Sequence, residues 1–287
     1  MELFIQQLIN GLTTGSIYCL VALGLTLVYG VLHLPNFAHG SLYMLGAFVT
    51  LTLMKSLHTN YWLCMLLSAL VLAIVGVAVE RLVYHPLRNA PPVNNFIAAV
   101  GLLLFFESLA LVIWGPEYWQ LTTPYDRVIN IMGLTLTQQR LVIIIATVVL
   151  LIGLNLFLKK TLIGASIEAA AQDRKGASLV GIRVDQVFML TFAIATGLAA
   201  VAASLAGPIN LVYPAMGHIV ILKAFVIIVL GGMGSLPGAI VGGYILGLAE
   251  SMGATYISMA YKDLIAFSIL VLILSIKPQG LFVKGVK

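Results

Sequence analysis

Glu107 and Glu250 each stand inside a stretch that is otherwise apolar, "LLLFFESLALVIW" and "GGYILGLAESMG". A carboxylate in hydrocarbon is expensive unless it is paired or hydrated. Such acids therefore suit two kinds of chemistry, proton transfer or hydrogen bonding between helices and subunits. Lys223 lies close to the end of another apolar stretch. Metal chemistry has little footing, because His33, His39, His58, His85 and His218 are scattered near segment ends without ligand spacing. A phosphate loop would read GxxxxGK[ST], and "LKKTL" lacks the glycine before its lysine. The chain thus has no ATP site of that kind, and energy must come from partners or from an ion gradient.

Two glycine-containing breaks interrupt the apolar runs. In "LPNFAHGS", Pro35 and Gly40 break the chain, while Asn36, Phe37 and His39 sit where freed backbone groups need partners. Non-helical backbone at membrane depth is tolerated where it is buried in protein or lines a water-filled cavity. The sequence leaves two readings open, a tight cytoplasmic turn or a broken helix beside a pathway. In "LGGMGSLPGAIVGGYILG", Gly231, Gly232 and Gly234 with Ser235 and Pro237 form a candidate gate or hinge. Gly238, Gly242, Gly243 and Gly247 repeat at the four-residue spacing that packs helices closely. A faint internal echo links "LVYG…AHGSLYMLGAFV" with "LVYPAMGHIVILKAFV".

The segment "KKTLIGASIEAAAQDRKGASLVGIRVDQ", residues 159–186, holds five of the 15 basic and three of the 10 acidic residues. It reads as a short helix. Ser166 is its expected N-cap, Glu168 falls in the first turn, Arg174 and Lys175 lie further along, and Gly181 is the expected stop. A solvated interfacial helix is one reading. Ala169, Ala170, Ala171 and Ala177 favour another, docking into a groove on a second protein, because small side chains allow close approach.

These features hang on an apolar frame. Of 287 residues, 61% are hydrophobic and 9% charged, against about 25% charged in a soluble domain; the mean hydropathy is +1.09. The expected class is an all-α polytopic membrane protein, one transmembrane domain over 1–287. A β-barrel is excluded because runs such as "LVIIIATVVLLIGLNLFL" do not alternate. Apolar segments fall near 5–30, 38–55, 61–84, 95–114, 140–158, 186–206, 218–231, 236–257 and 261–277, so about nine crossings (eight to ten) are expected, the seventh tilted or broken. All 10 prolines, Pro35 and Pro278 among them, fall at or near segment ends.

With nine crossings, Arg81, Arg88, Lys159, Lys160, Arg174, Lys175, Arg183, Lys277, Lys284 and Lys287 share one side. Lys55, Arg127, Arg140, Lys223 and Lys262 fall on or near the other. The positive-inside rule then puts the 159–186 segment and the C-terminus in the cytoplasm and the N-terminus outside, with Trp114, Tyr118 and Trp119 at the outer interface. "MELFIQQLIN" lacks the basic region of a cleavable signal. Cys19 and Cys64 lie in apolar stretches and read as small core residues without a disulfide.

Three blocks in order carry a resemblance to a known family. "EAAAQDRKGASLVGI" resembles the EAA loop of ABC importer permeases. "GLTTGSIYCLVALGLTLVYGVLHLPNFAHGSLYMLGAFV" and "KAFVIIVLGGMGSLPGAIVGGYILGLAE" resemble the H-type permease of branched-chain amino acid importers. The resemblance implies that Glu168, Ala169, Ala170, Asp173, Arg174 and Gly181 belong to a coupling helix, with its glycine at Gly176 or Gly181. It further implies a fold like that of the ribose-type permeases, in a bacterial inner membrane. The expected partners are two nucleotide-binding ATPase subunits that hold ATP and Mg²⁺, a second related permease and a soluble binding protein, with no nucleic acid. This chain would then be a transport subunit and not an enzyme, with no cofactor of its own. The implied cargo is branched-chain and other neutral amino acids; relatives carry urea or short amides. The competing expectation is a proton-coupled secondary transporter using Glu107 or Glu250.

Overall fold

The computed structural model describes residues 2–33, 36–57, 60–131, 134–277 and 280–282. The expectations attached to Pro35, His58, Pro278, Lys284 and Lys287 lie outside these residues. The chain runs α1 (Glu2–Leu32), α2 (Ala38–Leu57) and α3 (Tyr61–Val79), which continues through a π-helical turn at Glu80–Tyr84 into α4 (His85–Leu87). It then forms α5 (Pro92–Trp114), β1 (Val128–Ile131), β2 (Leu134–Thr137) and α6 (Gln138–Lys160). The polar segment holds α7 (Leu162–Gln172) and α8 (Arg174–Leu179). Then come α9 (Val184–Ala206), α10 (Met216–Gly231), α11 (Leu236–Tyr256), and α12 (Lys262–Ile276) after a short 3₁₀ turn.

Each of the nine apolar segments forms a helix, but they are not nine straight crossings. Among the described residues, seven helices are long and apolar enough to cross alone, and eight spans result if α10 and α11 count as one broken span. Length is the reason for α10: its 16 residues rise about 24 Å against about 30 Å of hydrocarbon. It meets α11 at a bend of 119°. The small antiparallel hairpin β1–β2, which pairs Val128 with Thr137, has no counterpart in the hydropathy pattern.

Burial sorts the helices. The apolar window of α1 is 83% buried within the chain, and α9 and α2 follow; that of α12 is 6% buried, with α6 and α5 also low. Central helices therefore carry small residues. Gly11, Gly15, Gly243 and Gly247 line the α1–α11 seam, the most extensive helix contact, where an added methyl group would strike backbone of the opposite helix. The main core lies among α1, α2, α9 and α10. A second apolar cluster, with Leu27, Val31, Leu158, Ile167, Ala170, Val187 and Phe188, sits beneath the polar segment.

Candidate functional site

A cavity of about 670 Å³ opens between the first half of α1 and the helices α10, α11 and α12. Its lining is mixed: Asn10, Thr13, Thr14, Arg140 and Asn210 are polar, and Ile17, Leu211, Met216, Ile219 and Val220 are apolar. Lys223 projects from the middle of α10 and is buried. Its Nζ lies 2.9 Å from Glu250 Oε1 and 2.9 Å from Asp263 Oδ1, and donates to Tyr18 Oη at 3.0 Å. Tyr18 Oη donates in turn to Glu250 Oε2 at 2.8 Å. Lys262 Nζ stands 3.7 Å from Glu250 Oε2. Lys223 is thus no interfacial charge, as the orientation count has it. Its flanks "MGHIVIL" and "AFVIIVLG" draw it inside, where two carboxylates and a phenol compensate its charge.

Glu107, the other intramembrane acid, contacts His218 on α10, with Oε2 2.7 Å from Nε2. Both intramembrane acids therefore have a basic partner on α10, and neither is a lone carboxyl group.

The "NFAHG" stretch lies deep in the bundle. A methyl group on Gly24 would come within 2.9 Å of His39 and 2.8 Å of the Ala195 carbonyl. Ala195 is the midpoint of α9, so α2 starts near mid-bundle and not at its end. Asn36 and His39 are buried. Asn36 Oδ1 accepts from Tyr84 Oη at 2.7 Å and from the Ala38 N–H at 3.1 Å, which caps α2. Phe37 stacks on Phe225 of α10 at 5.2 Å. Gly40 meets Gly217 backbone to backbone, so the two echoed stretches touch. Tyr43 and Met216, within one turn of that contact, line the cavity.

The second break is the vertex of the α10–α11 bend. Gly231 packs on Gly238. Gly232 and Gly234 adopt φ of +98° and +84°, a region that glycine enters without strain. Ser235 Oγ accepts from the Gly238 N–H at 3.1 Å as the N-cap of α11, and Pro237 occupies its first turn, where no N–H is missed.

The polar segment is two helices and not one. Thr161, not Ser166, caps α7, its Oγ1 accepting from the Gly164 N–H at 3.0 Å; Ser166 instead donates to the Leu162 carbonyl. Glu168 consequently falls in the second turn, exposed, and not in the first. The helix starts five residues earlier than the sequence pattern predicts, because Thr161 closes the long apolar run of α6. Asp173 leaves the helical region, with φ −150° and ψ 107°, and caps α8 by accepting from the Lys175 N–H at 2.9 Å. Gly181, at φ +87°, stands in the turn that follows α8. Gly164, Ile167, Ala170 and Ala177 seat the segment on the bundle, with Ala169 half-buried, while Leu162, Leu179 and Val180 are 89%, 87% and 77% exposed.

A second charge cluster lies beneath α8. Arg88 pairs with the wholly buried Glu80 of the π turn and with the exposed Asp185 of α9. Its guanidinium lies over the Phe188 ring at 4.1 Å, and Arg174 lies over the same ring at 4.6 Å. Burial, then the like charge of Arg88, draws the Arg174 guanidinium below its usual pKa, while Asp185 opposes the shift. Sequence reasoning missed this cluster, as it missed Tyr18 and Asp263. Only Glu80, eight residues before Arg88 in a basic segment end, offered a signal.

Comparison with known proteins agrees with this architecture. The family model for the branched-chain amino acid transport system permease component matches residues 7–274. The high-affinity branched-chain amino acid transport system permease protein BraD of Pseudomonas aeruginosa is 36% identical, over 97% of this chain and 95% of its own length. LivH of Escherichia coli, a permease protein of the same description, is 36% identical with the same coverage. LivM of Escherichia coli, also a permease protein of such a system, is 23% identical over 94% of this chain and 68% of its own length. A polytopic helical bundle with these matches is a transport component and not an enzyme, and the chain belongs to the family of branched-chain amino acid transport system permease components.

Proposed function

We propose that this chain is one membrane subunit of an ATP-driven importer for branched-chain and other neutral amino acids, forming half of the translocation pathway. The observation that carries the coupling role is the α7–α8 segment. It is anchored by its small and apolar face, yet it presents Leu162, Leu179 and Val180 outward beside Glu168 and Asp173. Apolar side chains held out beside charges, on a rigid seat, suit a protein partner better than open water. ATP and Mg²⁺ belong to two ATPase subunits that this surface meets. The match to LivM supports a second, related permease beside the first. A soluble binding protein delivers cargo at the opposite face, into the cavity around Lys223. The segment and the C-terminus are cytoplasmic and the N-terminus external, in the cell inner membrane, so that α10 and α11 enter and leave on the outer side; the Leu281 N–H meets the Leu230 carbonyl near their vertex, which supports this reading. Taking the internal Lys223 out of the charge count only widens the asymmetry that sets this orientation.

In this reading, closure of the ATPases on ATP moves α7 and α8. The movement passes through Ile167, Ala170 and Phe188 to α1 and α9, which flank the Gly40–Gly217 contact below the cavity. The test is to tag the chain at its C-terminus, extract it gently and identify what co-purifies. Two nucleotide-binding chains and a second permease are expected; recovery of the chain alone across several detergents overturns the proposal. In the assembled complex, Asp173→Arg reverses a charge at the docking face and removes the α8 cap. Uptake is expected to fall more than about tenfold while membrane insertion persists.

A further inference from the structure

We infer that the cluster of Lys223, Glu250, Asp263 and Lys262 is a head-group site for a zwitterionic α-amino acid, so that this subunit itself reads its cargo. The inference rests on the transport reading and adds the substrate's recognition chemistry to it. The starting point is an energetic oddity. A buried ion pair is weak evidence for stability, since apolar residues of similar volume often do as well or better. Here the pair is sited in the wall of a cavity whose 670 Å³ falls within the roughly 300–1,000 Å³ of small-molecule sites.

The charges balance. Lys223 and Lys262 stand against Glu250 and Asp263, with the Tyr18 hydroxyl bridging Lys223 and Glu250. A balanced row of alternating charges, Asp263, Lys223, Glu250 and Lys262, complements a ligand that is neutral overall but carries both charges. Arg140 elsewhere in the cavity lining adds one positive charge, so selection against an anion rests on the two carboxylates that receive the ammonium, and the cluster offers little to urea or an amide. The cluster is also graded in exposure. Glu250 and Lys223 are buried, at 0% and 6% side-chain exposure, whereas Asp263 is 57% and Lys262 36% exposed. The exposed pair opens α12 and sits at the cavity mouth. Exchange can then proceed without stranding a charge. The ligand carboxylate replaces Asp263 on Lys223 and meets Lys262. The freed Asp263, with Glu250, receives the ligand ammonium. Such charge-assisted hydrogen bonds are the strong ones. The aliphatic side chain lies against the apolar lining residues Ile17, Met216, Ile219 and Val220.

The test uses the complete complex in proteoliposomes, with Thr255→Cys at the exposed cavity rim as a reporter; Cys19 and Cys64 are buried. Labelling by a charged thiol reagent is followed with and without L-leucine. Leucine is expected to protect. 4-Methylpentanoate, which lacks the ammonium, and leucinamide, which lacks the carboxylate, should need about 30-fold more, because each leaves a buried charge unpaired; acetamide should not protect. Asp263→Asn, at an exposed position that folding tolerates, should weaken leucine protection about tenfold, and Lys223→Gln should abolish it. Equal protection by leucine and 4-methylpentanoate, or undiminished protection in Asp263→Asn, overturns the site. If the complex carrying only Thr255→Cys protects this cysteine with leucine yet imports none, the transport reading fails and the site stands. If it imports leucine without protection, the site fails alone.

Discussion

At the cavity end of the bundle, Lys223 lies between a wholly buried Glu250 and an exposed Asp263; at the other end, Arg88 lies between a wholly buried Glu80 and an exposed Asp185. The plan is the same and the surroundings differ. Lys223 faces a cavity, a phenol and a second cation within reach of its carboxylate. Arg88 faces the Phe188 ring, which it shares with Arg174 from the polar segment. The ammonium suits a place where partners change, since it is a compact point charge. The planar guanidinium suits a place where they do not, since it pairs and stacks at once. One cluster can exchange ligands; the other joins the ends of α3, α8 and α9.

The widest separation between the two should appear in stability. Arg88 is the one ion-pair partner of Glu80 among the described residues. Arg88→Ala therefore leaves a buried carboxylate alone, and a loss of about 3–5 kcal/mol is expected. Lys223→Gln leaves Glu250 with Lys262 at 3.7 Å, Tyr18 and cavity water, and a smaller loss of about 1–3 kcal/mol is expected. Chemical denaturation in detergent, followed by helical circular dichroism, compares the two directly. Equal losses would mean that both clusters are structural ties and would remove the distinction.

The joint can be loosened more gently at Phe188. Phe188→Leu keeps an apolar residue in the second core cluster but removes the ring beneath both guanidinium groups. The expected cost is about 1–2 kcal/mol. The sharper reading is functional. In the reconstituted complex, ATP hydrolysis should persist while uptake falls several-fold, because α8 is no longer tied to Arg88. Parallel loss of both activities would place Phe188 in the fold and not in the transmission.

How much of this the sequence discloses depends on the range of the interaction. Helix cores are legible from hydropathy because each span must satisfy its own backbone in lipid. The close-packing role of Gly243 and Gly247 is legible because the small-residue spacing is local. The polar segment is legible as a docking element, but its start is not, since Thr161 hides behind the apolar run of α6. The charge clusters are harder. Lys223, Glu250 and Asp263 come from three helices, and nothing in their neighbours' types shows that they meet. Glu80 and Arg88 are eight apart, and the π turn between them follows no hydropathy period. Deep placement of "NFAHG" is also tertiary: it requires Gly24 and Gly217 to admit α2 between α1 and α10.

The smallest effect belongs between the two ends, at the vertex that lets α10 carry Lys223 and α11 carry Glu250. Ser235 caps α11 with one hydrogen bond to the Gly238 N–H. Ser235→Ala should cost about 1 kcal/mol, and Ser235→Asn or Ser235→Asp should restore it, because each supplies the same acceptor. The lost cap should move the denaturation midpoint more than it moves uptake. The register of Glu250 against Lys223 is held independently by the α1–α11 seam, where Gly15 and Gly247 leave no room for sliding. A larger change in uptake than in stability would locate the moving part at this vertex, and the cavity cluster would then follow the hinge and not lead it.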